Sequence, residues 1–220
     1  MKLARRPTHV IFDLDGVLLD TERLYTMAAQ IVVGRFGKRY GLEEKLELMG
    51  RAELDSARRL IERLDLPLTP AEYVAERGAE LARLVTTSEP IAGAPELVAT
   101  LRARGVPRAV ATSSSRSWFE LKTRHHAWFR HFSVVVCGDD PEVPRLKPDP
   151  AIFLVAARRL GAAPERCLVF EDSPAGVRAA AAAGMQVVAL LDPHVRVEAA
   201  PGADLYVRGY DELSLVDLGL

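Results

Sequence analysis

Two carboxylates separated by one apolar residue, Asp13 and Asp15, end a short apolar run that starts at Thr8, and Gly16 follows directly. In an extended strand, side chains two apart share a face, so both acids point the same way at the strand's carboxyl end. Gly16 lets the backbone turn sharply there. Carboxylates held together repel unless a cation or a shared proton intervenes. The pair therefore suits a Mg²⁺ site in which one carboxylate can also act as a nucleophile. The ordinary alternative is a solvated strand-to-turn edge, where Asp and Gly are common. A helix–loop–helix calcium site fits poorly, because its sixth position would be Leu18 rather than Gly and its twelfth Leu24 rather than Glu.

Other apolar runs lead to groups of complementary chemistry. One ends in Thr112-Ser113-Ser114, another is followed by a loop carrying Lys147, and a third ends in Glu171-Asp172. Asp13, Asp172 and Glu171 offer the hard oxygen ligands that Mg²⁺ takes alongside water and phosphate. Thr112 or Ser113 can donate to a phosphoryl oxygen. Lys147 can bind phosphate as a compact charge and hold a nucleophilic carboxylate ionised. It stands out in a chain with five lysines against twenty-four arginines. Taken singly, these are a turn, an exposed loop lysine and a helix start. Together they suit phosphoryl transfer, which needs positioning and charge neutralisation above all. Asp13 would attack phosphorus to give an aspartyl-phosphate. Asp15 would protonate the leaving alkoxide, then deprotonate the hydrolytic water.

The elements that must position these groups follow from periodicity. After Gly16 the pattern is helical until about residue 88: Leu24, Ala28, Ile31 and Val32 share one face, and Leu54, Ala57, Leu60, Ile61 and Leu64 another. Thr69-Pro70-Ala71-Glu72 is a capping box opening a third helix. From Ile91 helices and strands alternate: helices near 94–104, 116–126, 150–161 and 174–184, and strands 107–112, 133–137, 167–170 and 186–190. The alternation predicts an α/β fold, a Rossmann-like parallel-sheet core (1–16 and 89–220) with an all-helical cap (17–88) inserted after the first strand. The insert is expected to act as a lid. Ligands of open α/β sheets bind beyond the carboxyl ends of the strands, where Asp13, Asp15, Thr112 and Glu171-Asp172 all fall.

Composition narrows the classes. Half the residues are apolar (49%) and the net charge is −1 without like-charged blocks, which disfavours nucleic-acid and membrane partners. Cys137 and Cys167 sit in strand-like apolar runs and are expected as buried thiols rather than a disulfide. The apolar run before Asp13 is too short for a signal peptide's core, and 179–191 is too short for a membrane span, so a cytoplasmic location is expected, with a monomer binding a small phosphomonoester. His125, His126 and His131 match no common zinc spacing and are expected to be solvated or satisfied.

Asp13-Leu14-Asp15-Gly16, Thr112, Lys147-Pro148-Asp149-Pro150 and Glu171-Asp172-Ser173-Pro174-Ala175-Gly176 resemble, in order, the four motifs of the haloacid dehalogenase-like hydrolase superfamily. The resemblance covers about residues 8–190 and implies a helical cap after the first strand. It also implies Mg²⁺ held by Asp13, Asp172, Glu171 and the main-chain oxygen of Asp15, leaving the Asp15 side chain to acid–base work. Further strings, at Asp13 to Tyr25, Met49-Gly50, Ala111 to Ser114, Gly138 to Val143 and Gly184 to Val188, are similar to the subgroup acting on pseudouridine 5′-phosphate. Three alternatives stand beside it: a phosphatase of a small sugar or polyol phosphate, a β-phosphoglucomutase-like phosphotransferase, and a non-catalytic phosphate-binding module. The mutase is disfavoured because its cap His and Arg would fall at Tyr25 and Glu53. One departure from the family pattern is Leu146, where relatives carry a small residue.

Overall fold

The computed structural model describes residues 3–48, 53–191, 197, 200–216 and 218–220, so Met49 and Gly50 lie outside the described residues. The chain divides into two compact units, Met1–Asp20 with Glu89–Leu220, and Thr21–Ser88.

The first unit is built on a six-stranded sheet of order β3-β2-β1-β4-β5-β6, parallel throughout. Its strands are β1 (His9–Phe12), β2 (Arg108–Ala111), β3 (Val134–Val136), β4 (Cys167–Glu171), β5 (Gln186–Leu190) and β6 (Leu205–Val207). The central strands read as unbroken apolar runs because both faces are buried, as parallel sheets require. Alternate residues supply two separate cores. Val10, Phe12, Val110, Leu168 and Phe170 face one side; Ile11, Ala109, Ala111, Val169 and Val187 face the other.

Helices α5 (Ala94–Ala103) and α6 (Arg116–Thr123) cover the first face through Val98, Leu101 and Phe119. The second face is covered by α7 (Ala151–Leu160) and α8 (Pro174–Ala182), through Ile152, Phe153, Val177, Ala179 and Ala180. The alanines let α8 lie close to the sheet, and Phe12 stacks on Phe170 with ring centroids 4.9 Å apart. Burying such a ring contributes roughly 1.5–3 kcal/mol.

The second unit contains α1 (Glu22–Gly34), α2 (Leu42–Leu48), α3 (Glu53–Leu64) and α4 (Pro70–Leu84) around Val32, Val33, Ala57, Leu60, Leu66 and Tyr73. The capping box forms as expected: Thr69 Oγ1 accepts from the Glu72 amide, and the Glu72 carboxylate accepts from the Thr69 amide.

Two expectations about helix faces are corrected. Ile31 is exposed, while Ala29 and Val33 are buried with Leu24, Ala28 and Val32, so the apolar stripe drifts around α1. Leu54 is likewise exposed near the start of α3, outside the face formed by Ala57 and Leu60. β6 was not anticipated; three residues between Asp204 and Arg208 are too few to display a period.

Register brings the strand ends together. Phe12 sits opposite both Val110 and Phe170, and Ala111 opposite Val136. The residues that follow therefore lie side by side at one edge, tied by Asp13 N–H to the Phe170 carbonyl and Thr112 N–H to the Val136 carbonyl, both 3.0 Å.

Candidate active site

Asp13 leaves β1 with its side chain nearly enclosed, and the chain then turns back on itself. The Gly16 amide donates to the Leu19 carbonyl at 2.9 Å, with Gly16 at φ +75°, a left-handed conformation that favours glycine. Asp172, the first residue after β4, rests on that turn: a Cβ at Gly16 would lie 2.1 Å from Asp172 Oδ2. The turn thus forms a cradle that seats a carboxylate from another strand beside Asp13 and Asp15.

Lys147 joins these elements. Its ammonium donates to Asp13 Oδ1 at 2.5 Å, to Glu171 Oε1 at 2.6 Å and to the Ala111 carbonyl at 3.0 Å, which uses all three of its hydrogens. The Phe153 ring lies beneath it, 4.8 Å from the centroid. Burial opposes its charge, but Asp13 and Glu171 more than offset that, and its pKa stands above the ordinary lysine value. Burial pushes the Asp13 carboxyl up to about 7 against the pull of Lys147, with Glu171 and Asp15 adding to the rise. A cation near Asp13 would relieve this accumulation of negative charge. The Lys147–Pro148 peptide is cis. Leu146 is half exposed, its Cδ2 within 2.9 Å of where a Gly138 Cβ would stand, so the departing residue leans outward over a glycine.

Glu171 is fully buried, and both of its oxygens are engaged. Oε1 accepts from Lys147, and Oε2 accepts from the Asp172 and Ser173 amides at 2.9 Å and the Ser173 hydroxyl at 3.0 Å. Ser173 in turn caps α8, accepting from the Gly176 amide at 3.0 Å. Glu171 Oε2 is thus engaged by the start of α8, while Oε1 serves Lys147, the oxygen through which the expected metal-ligand role would also have to run. Gly176 is required there, since a Cβ would fall 1.7 Å from Glu171 Oε1.

Thr112 is buried beside this cluster. Its Oγ1 accepts from the Ser114 amide at 3.1 Å, which leaves the hydroxyl hydrogen to donate to a ligand oxygen. Ser113 is exposed, and its carbonyl lies against Gly138, where a Cβ would approach to 2.3 Å.

A further group at this edge was missed from the sequence. Lys122, on α6, is fully buried and donates to Asp15 Oδ1 at 2.6 Å and to Ser114 Oγ at 3.0 Å, while Ser114 Oγ–H donates to Asp15 Oδ2 at 3.1 Å. A helical lysine ordinarily reads as solvated. The available signal was its rarity: two of five lysines, in a chain that otherwise uses arginine, have their side chains withdrawn from solvent at this edge.

The carboxylates of Asp13 and Asp172 are hard oxygen donors of the kind a divalent cation takes. Among the described residues no three His, Cys, Asp or Glu side chains gather into a closed shell. Mg²⁺ takes one or two carboxylates and fills its octahedron with water and phosphate oxygens. His126 packs against Trp128, ring centroids 6.4 Å apart, and His131 lies 3.4 Å from Arg102 Nη1; both stand apart from this cluster. Cys137 and Cys167 are buried free thiols, as expected. No helix among the described residues is long and apolar enough to cross a membrane.

The family model described as haloacid dehalogenase-like hydrolase matches residues 10–190. A Drosophila melanogaster protein named probable pseudouridine-5′-phosphatase is 45% identical over 201 residues, covering 90% of this chain and 87% of that one. An Arabidopsis thaliana protein named (DL)-glycerol-3-phosphatase 2 is 39% identical over 219 residues, covering 97% of this chain and 91% of its own. Among solved structures, a HAD family hydrolase from Deinococcus radiodurans with bound phosphate and sodium superposes with a TM-score of 0.85 at 29% identity, covering 97% of both chains.

Proposed function

The chain belongs to the haloacid dehalogenase-like hydrolase family, and from that premise we propose a Mg²⁺-dependent phosphomonoester hydrolase that works through an aspartyl-phosphate on Asp13. The observation that carries this reading is the single ammonium of Lys147 bonded to both Asp13 and Glu171 at the carboxyl edge of the sheet.

Asp13 is the nucleophile. Its free oxygen attacks phosphorus as the ester P–O bond breaks, and Asp15 gives its proton to the leaving alkoxide. Asp15 then takes a proton from water as that water attacks the acyl phosphate, releasing inorganic phosphate and restoring Asp13. Lys147 and Thr112 stabilise the phosphoryl oxygens, and Ser113 presents main-chain and hydroxyl donors beside them. Mg²⁺, held by Asp13, Asp172 and the Asp15 carbonyl, supplies charge neutralisation when bound. Glu171 keeps Lys147 in place.

The phosphate-handling groups all belong to the first unit, so discrimination among leaving groups falls to the surrounding loops and to the helical insert, Thr21–Ser88, which begins four residues later than the sequence suggests and which we infer to be the lid. The relative named probable pseudouridine-5′-phosphatase supports pseudouridine 5′-phosphate as the substrate. Pseudouridine carries a ring N–H that uridine lacks, and a site satisfying that donor would leave an acceptor unpaired with uridine, costing roughly 1–3 kcal/mol. The (DL)-glycerol-3-phosphatase relative supports a second reading, a polyol phosphate.

The test is a panel of pseudouridine 5′-phosphate, uridine 5′-phosphate and glycerol 3-phosphate with Mg²⁺ and with excess EDTA. We expect kcat/KM for pseudouridine 5′-phosphate to exceed that for uridine 5′-phosphate by at least about tenfold, the scale of one unpaired buried group, and EDTA to abolish turnover. A preference for glycerol 3-phosphate would move the assignment to the second reading, and undiminished turnover in EDTA would remove the metal.

A further inference from the structure

We infer that Lys122 is a positioning residue for Asp15, fixing the acid–base carboxylate in one orientation for proton transfer to the leaving group. The inference rests on the assignment of Asp15 as the acid–base group above.

Asp15 sits on a turn with no regular secondary structure to hold its side chain. What holds it is a triangle: Lys122 to Asp15 Oδ1 at 2.6 Å, Lys122 to Ser114 Oγ at 3.0 Å, and Ser114 to Asp15 Oδ2 at 3.1 Å. Each carboxylate oxygen has its own donor, so rotation about the side chain would break both bonds. Ser114 is itself tied to Thr112 through its amide, and the next residue, Ser115, caps α6, the helix that carries Lys122. The chain segment that offers Thr112 for phosphate therefore also sets the geometry of Asp15.

The ion pair is asymmetric. The Lys122 side chain has 0% exposure and that of Asp15 has 22%, so the cation is fully withdrawn while the carboxylate keeps an accessible side. A buried ion pair adds little stability over an apolar pair of the same volume, since desolvation cancels most of the attraction. A methionine would fill the Lys122 position at lower cost. What the lysine adds is a directed, charge-assisted bond to Asp15. Lys147 serves Asp13 and Glu171, and Lys122 serves Asp15 and Ser114. Each aspartate of the pair thus has a lysine ammonium bonded to it.

The Lys122–Asp15 bond gives the test its discrimination. Proton donation matters for an alkoxide leaving group and hardly at all for an acidic phenol. kcat/KM reports steps up to the first irreversible phosphoryl transfer, so it isolates the donation step. Lys122→Met, Lys122→Arg and Ser114→Ala are each assayed with uridine 5′-phosphate and with p-nitrophenyl phosphate, and Lys122→Met is repeated in an Asp15→Asn background. We expect Lys122→Met to lower kcat/KM for uridine 5′-phosphate by about tenfold or more, within the range of general acid–base effects, and that for p-nitrophenyl phosphate by less than about twofold. Ser114→Ala should shift the same ratio in the same direction, and Lys122→Arg should recover part of it. Trapping of beryllium fluoride on Asp13 should persist in all three. In the Asp15→Asn background Lys122→Met should add no further loss, because it acts through the missing carboxylate. Equal losses on both substrates, or a full additional loss without Asp15, would overturn the inference while leaving the hydrolase reading intact. If Lys122→Met does not fold, the substrate ratio in Lys122→Arg and Ser114→Ala decides, and an unchanged ratio in both overturns the inference. A wild-type protein that hydrolyses neither of these esters, nor pseudouridine 5′-phosphate or glycerol 3-phosphate, would overturn the hydrolase reading itself and this inference with it.

Discussion

Gly16 and Asp172 lie so close that no side chain fits between them: a Cβ on Gly16 would stand 2.1 Å from Asp172 Oδ2. They are far apart in sequence and belong to the ends of two paired strands, β1 and β4. Gly16 therefore does two things. It permits the left-handed turn that follows Asp15, and it leaves room for the carboxylate that completes the proposed Mg²⁺ ligand set.

Gly16→Ala is expected to push Asp172 aside and to strain the turn, since a non-glycine residue in the left-handed region costs roughly 1–2 kcal/mol. The Mg²⁺ concentration giving half-maximal activity should rise by about tenfold or more, the scale seen when a metal's supporting groups are disturbed. Circular dichroism should still report a folded chain. An unchanged Mg²⁺ requirement in a folded variant would mean that Asp172 does not hold the metal.

Asp13→Asn should leave less than about a thousandth of the activity, because a neutral amide forms no acyl phosphate. Beryllium fluoride, which mimics a phosphorylated carboxylate, should be retained by the wild type and lost from this variant. Near-normal turnover by Asp13→Asn would place the nucleophile elsewhere.

The two acids ending β4 should separate cleanly. Glu171→Gln removes one of the anions that hold the buried Lys147, and breaking such a pair costs about 3 kcal/mol, read as a fall in the urea midpoint. Its half-saturating Mg²⁺ concentration should move less than that of Asp172→Asn, whose stability should change little. If Glu171→Gln weakens Mg²⁺ more than Asp172→Asn does, the roles assigned to the two carboxylates are reversed.

How far this site could be read from the sequence depends on what kind of order each group obeys. Asp13, Thr112 and Glu171-Asp172 are legible because a buried strand announces its end: apolar residues stop, polar ones begin, and parallel pairing brings such ends to one edge. Lys122 is not legible that way. It faces inward only because α6 packs on the sheet through Phe119, so its direction depends on how the helix sits. Glu171 is legible only in part for a related reason: its place at a strand end reads from the sequence, but its bonds to Lys147 and to the amides of Asp172 and Ser173 depend on how the loops fold back. Spacing alone places Ile31 and Leu54 on the buried faces, because it cannot register a stripe that drifts around the helix; both are exposed.

Tyr210 is a case from the far end of the chain, where the sequence offers no motif. Its hydroxyl donates to the Val17 carbonyl at 3.0 Å, and its Cβ would be 2.8 Å from a Cβ at Gly93, so one buried ring braces both segments that lead out of the core. Among the described residues no other group donates to that carbonyl. Tyr210→Phe keeps the ring but strands the acceptor, a loss of roughly 1–3 kcal/mol. The effect should be local. The Ile91 amide donates to the Leu18 carbonyl at 3.0 Å and the Asp20 amide to the Glu89 carbonyl at 2.8 Å, so both report on these segments. In hydrogen exchange they should open about tenfold faster in Tyr210→Phe, as a change of about 1.4 kcal/mol implies. The Asp13 amide, bonded to the Phe170 carbonyl within the sheet, should change far less. If Ile91 and Asp20 exchange at wild-type rates while Asp13 speeds up, Tyr210 supports the sheet as a whole and does not brace the two connections.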